Sequence, residues 1–190
     1  MPNNIEQISK NIIQKINALE LLSTRLSIKK FRSKDINHNI DHEMDAGIMR
    51  FIRDPIAVEE IREKTIKSAD DWSGKESDWV LLSLRLRSNN HYIGLVCFRF
   101  ESIENNTVEM GWRLGHDAMG KGYATEAAQC LLDFIKIEIK PHKVVAYCVA
   151  KNAASANIMT KLGMKKEGHL REYSKLGGKW HDEVIFGLIL

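Results

Sequence analysis

Met119-Gly120-Lys121-Gly122-Tyr123-Ala124-Thr125-Glu126-Ala127 decides the reading of this chain. It joins a segment with strand character, Thr107 to Leu114, to a long helical segment from about Tyr123 to Ile139. Glycines at such a junction let backbone approach a ligand closely, and the first N–H groups of a helix have no partner within it. The helix dipole adds a partial positive charge there, so the junction suits a phosphate group. Lys121 adds a full charge. The Walker pattern GxxxxGK[ST] and the dinucleotide fingerprint GxGxxG are both absent, which sets aside the two commonest phosphate-loop classes.

Outward from this loop the chain alternates between strands and helices. Upstream, Trp79 to Arg87 and Tyr92 to Phe100 flank the turn Ser88-Asn89-Asn90, and Asn105-Asn106 leads into Thr107 to Leu114. These segments predict an antiparallel meander. Before it, Leu22 to Phe31 predicts one strand, with Leu26, Ile28 and Lys30 on one face. Lys29-Lys30-Phe31-Arg32 reads as a charged strand face. Ser33 to Met44 predicts a helix with Ser33 as N-cap, and Val58 to Trp72 a second helix after Pro55. Downstream, Lys143 to Val149 is a β-branched strand. Asn152 to Leu162 is a helix closed by Gly163, and two last strands surround Gly177-Gly178. Ile5, Ile8, Ile12, Ile16 and Leu19 form an apolar helical stripe over residues 1–20. That stripe fits packing on the chain's own domain, with a partner or dimer contact as the alternative. The order describes a mixed α/β (α+β) domain.

Composition narrows the classes. A chain of 190 residues, 44% hydrophobic and 28% charged, fits one globular domain. Lys and Arg total 28 against 25 Asp and Glu, an excess of +3 that is too small to imply nucleic-acid binding. No apolar run approaches the roughly 20 residues of a membrane span, and the N-terminus lacks the pattern of a signal peptide. Cys97, Cys130 and Cys148 are scattered without CxxC spacing, so reduced packing thiols, a cytoplasmic location and no metal site are expected.

Further motifs occur in register with the loop: Glu109-Met110-Gly111-Trp112-Arg113-Leu114, Asn152-Ala153-Ala154-Ser155, Lys161-Leu162-Gly163-Met164, Glu167-Gly168 and Gly178-Lys179-Trp180-His181-Asp182-Glu183. In this order and spacing the chain resembles the GNAT superfamily of N-acetyltransferases, most closely its RimJ/RimL-like branch. The resemblance implies a twisted, mostly antiparallel sheet flanked by helices and splayed between its fourth and fifth strands, here Thr107 to Leu114 and Lys143 to Val149. It implies an acetyltransferase domain over residues 22–190 with residues 1–21 as a helical extension. Acetyl-CoA would lie in the splay with its pyrophosphate on the backbone of Gly120, Lys121, Gly122, Tyr123 and Ala124. The family signature Gln/Arg-x-x-Gly-x-Gly/Ala is met by Gly122 and Ala124, while Met119 stands at its first position.

Acetyl transfer needs a neutral amine, a polarised thioester carbonyl and a proton for the leaving thiolate. Glu109 matches the strand-borne glutamate that the family places near the amine. Alternation sets it on one face with Gly111 and Arg113, so a structural pair with Arg113 is the alternative. Main-chain N–H near Leu114 would polarise the carbonyl. Asn152 would bond the pantetheine amide, or act as an N-cap, or both. Met159 stands where many relatives carry an acid tyrosine, which leaves the thiolate to Ser155. His181 reads as a fold residue, His116 as a loop residue, and Trp72, Trp79 and Tyr92 as core or as acceptor-pocket lining. The expected activity is transfer to a primary amine, either a protein N-terminus (ribosomal among the choices) or a small amine. No metal, nucleic acid or membrane is involved, and a homodimer stays open. A polyamine acceptor would need carboxylates in the cleft, with Glu43, Asp45 and Asp54 available. The rival reading is a non-enzymatic acyl-CoA-binding regulatory module.

Overall fold

The computed structural model describes residues 9–190. Ile5 and Ile8 of the N-terminal stripe lie outside the described residues. Strands β1 (Glu20–Leu22), β2 (Leu26–Lys30), β3 (Val80–Leu86), β4 (Tyr92–Ser102), β5 (Thr107–Leu114), β6 (Lys143–Val149), β7 (Lys165–Leu176) and β8 (Lys179–Ile189) form one sheet in the order β1-β2-β3-β4-β5-β6-β8-β7. All neighbours are antiparallel except β5 and β6. These two pair in parallel only at Thr107–Lys143, Val108–Val144 and Glu109–Val145. Beyond Glu109 they diverge, which is the splay the resemblance implies. With the extra edge strand β1, the splay falls between the fifth and sixth strands.

The helices divide between the two faces. Helix α5 (Tyr123–Phe134) buries Ala127, Ala128, Leu131 and Leu132 against β4 and β5, and a π-helical turn (Ile135–Ile139) continues it. Its small alanines allow close approach to the sheet, and the leucines fill the space beyond. Helix α6 (Ala153–Lys161) packs on α5 and β6. Helix α1 (Lys10–Asn17) follows Ser9, whose hydroxyl accepts from Ile12 N. Its Ile16, together with Leu19, belongs to the same buried cluster as the sheet. On the other face α2 (Ile36–Met44) packs on α4 (Val58–Ala69), with the short α3 (Ala46–Met49) between them in sequence.

Three local expectations are corrected. The single strand Leu22 to Phe31 is a hairpin, because Ser23 accepts Leu26 N on its hydroxyl and reverses the chain. Lys29–Arg32 is not a charged face. Phe31 is fully buried and Lys30 Nζ donates to the carbonyls of Phe31, Ser68 and Asp70, closing the end of α4. Burial lowers the Lys30 amine to about 8. Ser33 caps nothing; it opens a 3-10 turn (Ser33–Asp35) that precedes α2. The buried Asp35 does the anchoring, accepting Arg32 N at 3.2 Å, Ser83 Oγ at 2.8 Å and Arg85 Nη2 at 2.6 Å. Removing one partner of such a buried pair costs about 3–5 kcal/mol. This anchor fixes α2 over the end of the sheet where the splay opens.

Candidate active site

Because β5 pairs with β4 along its whole length but with β6 only to Glu109, its other main-chain edge is free from Met110 to Leu114. That free edge faces a cavity of about 440 Å³ lined by Leu114, Gly120, Gly122, Tyr123, Ala124, Asn152 and Ser155 among others. The structure thus gathers seven of the residues expected to hold the cofactor. Lys121 is exposed and does not line the cavity.

The loop geometry follows from its glycines. Gly122 has φ 80° and ψ 0°, the left-handed conformation, and stands at the N-cap of α5 without a side-chain cap. A β-carbon there would be strained in φ, although it would meet Arg25 Nη2 only at the ordinary contact distance of 3.4 Å. The hairpin tip between β1 and β2 braces this loop. Arg25 Nη1 donates to Lys121 O at 3.0 Å, and its guanidinium lies 4.4 Å from the Tyr123 ring centre. Glu126, in the first turn of α5, holds Arg25 by Nε at 2.7 Å and by its backbone N at 2.8 Å. Ser23 Oγ donates to the same carboxylate. Burial alone would raise the Glu126 carboxyl; these donors outweigh it and hold the group below its usual range.

Asn152 is the N-cap of α6: its Oδ1 accepts Ser155 N at 3.2 Å, which leaves its NH2 group to the cleft. Ser155 lines this cavity and also a second one of about 550 Å³ on the α2–α4 side of the sheet. Phe51, Ile52, Trp112 and Arg113 are likewise common to both. The two cavities therefore meet at Ser155. Behind it lies Cys148, whose thiol is raised by burial while a hydrogen bond to Ser155 opposes the rise. Met159 is buried in the wall of the second cavity and offers no proton.

Glu109 stands apart from both linings. It is 8% exposed and its Oε2 takes Arg99 Nη2 at 2.5 Å and Arg99 Nε at 2.6 Å. Its partner is Arg99, the cross-strand neighbour on β4, and not Arg113. Burial raises the Glu109 carboxyl above its usual range, and the Arg99 guanidinium resists that rise. Arg99 in turn sits 4.7 Å over the Trp79 ring. Gly111, two residues on and on the same face, lines the second cavity and adds no side chain of its own there, with Cys97 Sγ 3.3 Å from where its β-carbon would stand.

Of the aromatics expected in core or pocket, Trp79 lines the second cavity. Trp72 stacks on Phe100 inside the core, and Tyr92 is buried beside His38 and His42. His116 lines the first cavity and bonds Asp45 at 3.0 Å; His181 bonds the Leu176 carbonyl. Sequence reasoning missed Phe51, Ile52, Tyr147 and Cys148. Tyr147 donates its hydroxyl to Glu101 at 2.6 Å in the cavity wall. Phe51 and Ile52 sit in a turn without a motif, so no local signal marks them. Tyr147 and Cys148 lie on β6 two residues and one residue before its end, and could have been found by extending the splay argument to that strand.

The acetyltransferase (GNAT) domain family matches residues 25–165. The chain is similar to an uncharacterized N-acetyltransferase, YnaD, of Bacillus subtilis (strain 168), at 28% identity over 90% of this chain and 97% of that protein. Among solved structures it is similar to RimL, the ribosomal L7/L12 alpha-N-protein acetyltransferase in complex with coenzyme A, at TM-score 0.79 and 16% identity, covering 90% of this chain and 98% of that one. A spermidine N-acetyltransferase from Vibrio cholerae in complex with CoA and spermine superposes at TM-score 0.76 and 18% identity, covering 88% and 96%. At such identities the two structures speak to the fold, which is the GNAT fold.

Proposed function

The chain belongs to the GNAT acetyltransferase family, and on that premise we propose that it moves an acetyl group from acetyl-CoA to a primary amine by direct attack. The acceptor is a protein N-terminus or a small amine. The observation that carries this reading is the meeting of two cavities at Ser155, one leading to the phosphate loop and the other to the α2–α4 side.

In this reading the pyrophosphate rests on the main chain from Gly120 to Ala124, where the unpaired N–H groups of α5 point outward. The pantetheine arm adds to the free edge of β5, as an extra strand would. The Leu114 end of that edge supplies N–H groups to the thioester carbonyl, and Asn152 bonds the pantetheine amide. The amine enters from the second cavity. As its nitrogen forms a bond to the carbonyl carbon, its proton passes through a water beside Gly111 to Glu109. Burial makes Glu109 a stronger base than an exposed carboxylate, and the Arg99 guanidinium opposes part of that rise. The carbon–sulfur bond then breaks; the Ser155 hydroxyl stabilises the departing thiolate by hydrogen bonding, the thiolate takes a proton from water, and Glu109 returns the amine proton to solvent. The RimL and spermidine acetyltransferase structures, each holding CoA, support the choice of donor.

Thiol release from acetyl-CoA, followed across a panel of amines and peptides, tests the reading. Acceptor-dependent release is the expected result. Tight CoA binding without such release would instead identify an acyl-CoA-binding module.

A further inference from the structure

The charges of the second cavity narrow the acceptor, given that the proposed transfer takes place there. A polycationic acceptor needs carboxylates to receive its second and third ammonium groups. The three early candidates are all engaged. Asp45 accepts Gly47 N and Ile48 N at the start of α3 and bonds His116. Asp54 accepts Gly177 N at 2.6 Å. Glu43 does line the cavity, but between two guanidinium groups: Arg53 Nη2 lies 2.7 Å from Oε2 and Arg113 Nη1 lies 3.4 Å from Oε1. Burial would raise the Glu43 carboxyl; Arg113, Arg53 and Asn39 outweigh burial and hold it below its usual range. It is therefore an ionised group already committed to cations.

Two guanidinium groups around one carboxylate leave one positive charge over. Lys64, the remaining charged residue of the lining, is held by Glu60 at 2.7 Å on the exposed surface of α4. The Arg113 side chain is 9% exposed: its Nη2 donates to Asn39 Oδ1, its Nη1 to Met49 Sδ, and its Nε is buried without an acceptor, so Arg113 contributes its charge from within the wall. Arg53 is more accessible, at 24%. The rest of the wall is largely apolar, including Met49, Leu81, Leu95, Met110 and Trp112. The carboxylates across the sheet do not offset the surplus: Glu109 is paired with Arg99, and Glu101 accepts from Tyr147.

We propose that the acceptor is a small primary amine carrying a single anionic oxygen group on an apolar body, of the amino-carboxylate class. Arg53, the more accessible of the two, receives the anion, with the Arg113 charge behind it, while the amine reaches the junction at Ser155. A polyamine would bring its further ammonium groups toward that surplus positive charge, with no free carboxylate to receive them.

Matched acceptors test this: phenylalanine, phenylalanine amide, a neutral tripeptide and spermidine, with rates corrected to the fraction of neutral amine. The carboxylate should exceed its amide by about tenfold in kcat/KM, which corresponds to about 1.4 kcal/mol for one paired charge. Spermidine should fall below the amide. Arg53→Gln should bring the carboxylate-to-amide ratio to within about twofold, because it removes the surplus charge. An amide, peptide or spermidine that matches the amino acid in the unaltered protein overturns the proposal, as does an undiminished preference in Arg53→Gln. If no amine at all is acetylated although CoA binds, the enzymatic reading fails and this inference fails with it; transfer to spermidine in preference defeats only the inference.

Discussion

The cavity proposed for the cofactor and the one proposed for the acceptor share a wall at Trp112, Arg113 and Ser155, yet they are built from different material. The phosphate end of the cleft is largely main chain, with a left-handed glycine, the first turn of α5 and the free edge of β5, while side chains such as Phe51, Ile52 and Ile158 line the rest. Arg25 and Glu126 brace the loop from outside the lining. The cavity is made of side chains contributed by α2, α3, the turn after α3, α4, α6 and strands β3 to β6. A main-chain site tolerates changes in neighbouring side chains and fails when φ is disturbed. A side-chain site behaves in the opposite way. Substitutions should therefore separate donor binding from acceptor chemistry.

The largest separation is expected at Glu109. Glu109→Gln should lower kcat about 10²-fold or more, as loss of a general base does, with CoA affinity within about twofold. Steady-state rates beside a CoA titration measure both. In the unaltered enzyme, activity should fall as pH drops through the raised Glu109 pKa, since protonation removes the base. The variant should lose that acid limb, and a variant that keeps it would place the base elsewhere. A smaller and opposite effect is expected at Gly122. Gly122→Val should weaken CoA binding about tenfold, because a non-glycine residue in the left-handed conformation costs roughly 1–2 kcal/mol. The acceptor KM should stay within about twofold, as read by calorimetry for CoA and by kinetics for the amine. The smallest effect is at Lys121. Lys121→Ala should change CoA affinity by about threefold at most, since the exposed charge is screened and the loop binds through backbone. A loss of tenfold or more would show that the cleft depends on side-chain charge after all, and would break the contrast.

The contrast also explains what could be read before the fold was known. The loop, the strand Thr107–Leu114, the strand Lys143–Val149 and the cap at Asn152 are contiguous pieces whose spacing carries their meaning, and the structure has them at those bounds. The partner of Glu109 was not readable. Alternation placed Arg113 on the same face, but a cross-strand neighbour at closer range, Arg99, takes the carboxylate. Lys30 shows the same limit: its sequence neighbours are charged, yet its burial is set by the end of α4, 38 residues away at Ser68.

The amino-acid sequence by itself determined the element order from β3 onward and the glycine-opened start of α5, because each follows from local dihedral preference and periodicity. Only the tertiary structure decided that Glu43 is committed to Arg53 and Arg113, that Glu109 is committed to Arg99, and that the two cavities meet at Ser155. Those outcomes depend on which side chains from distant segments come within a few ångströms of each other. Burial and charge compensation at such contacts depend on packing, which no local window of the chain contains.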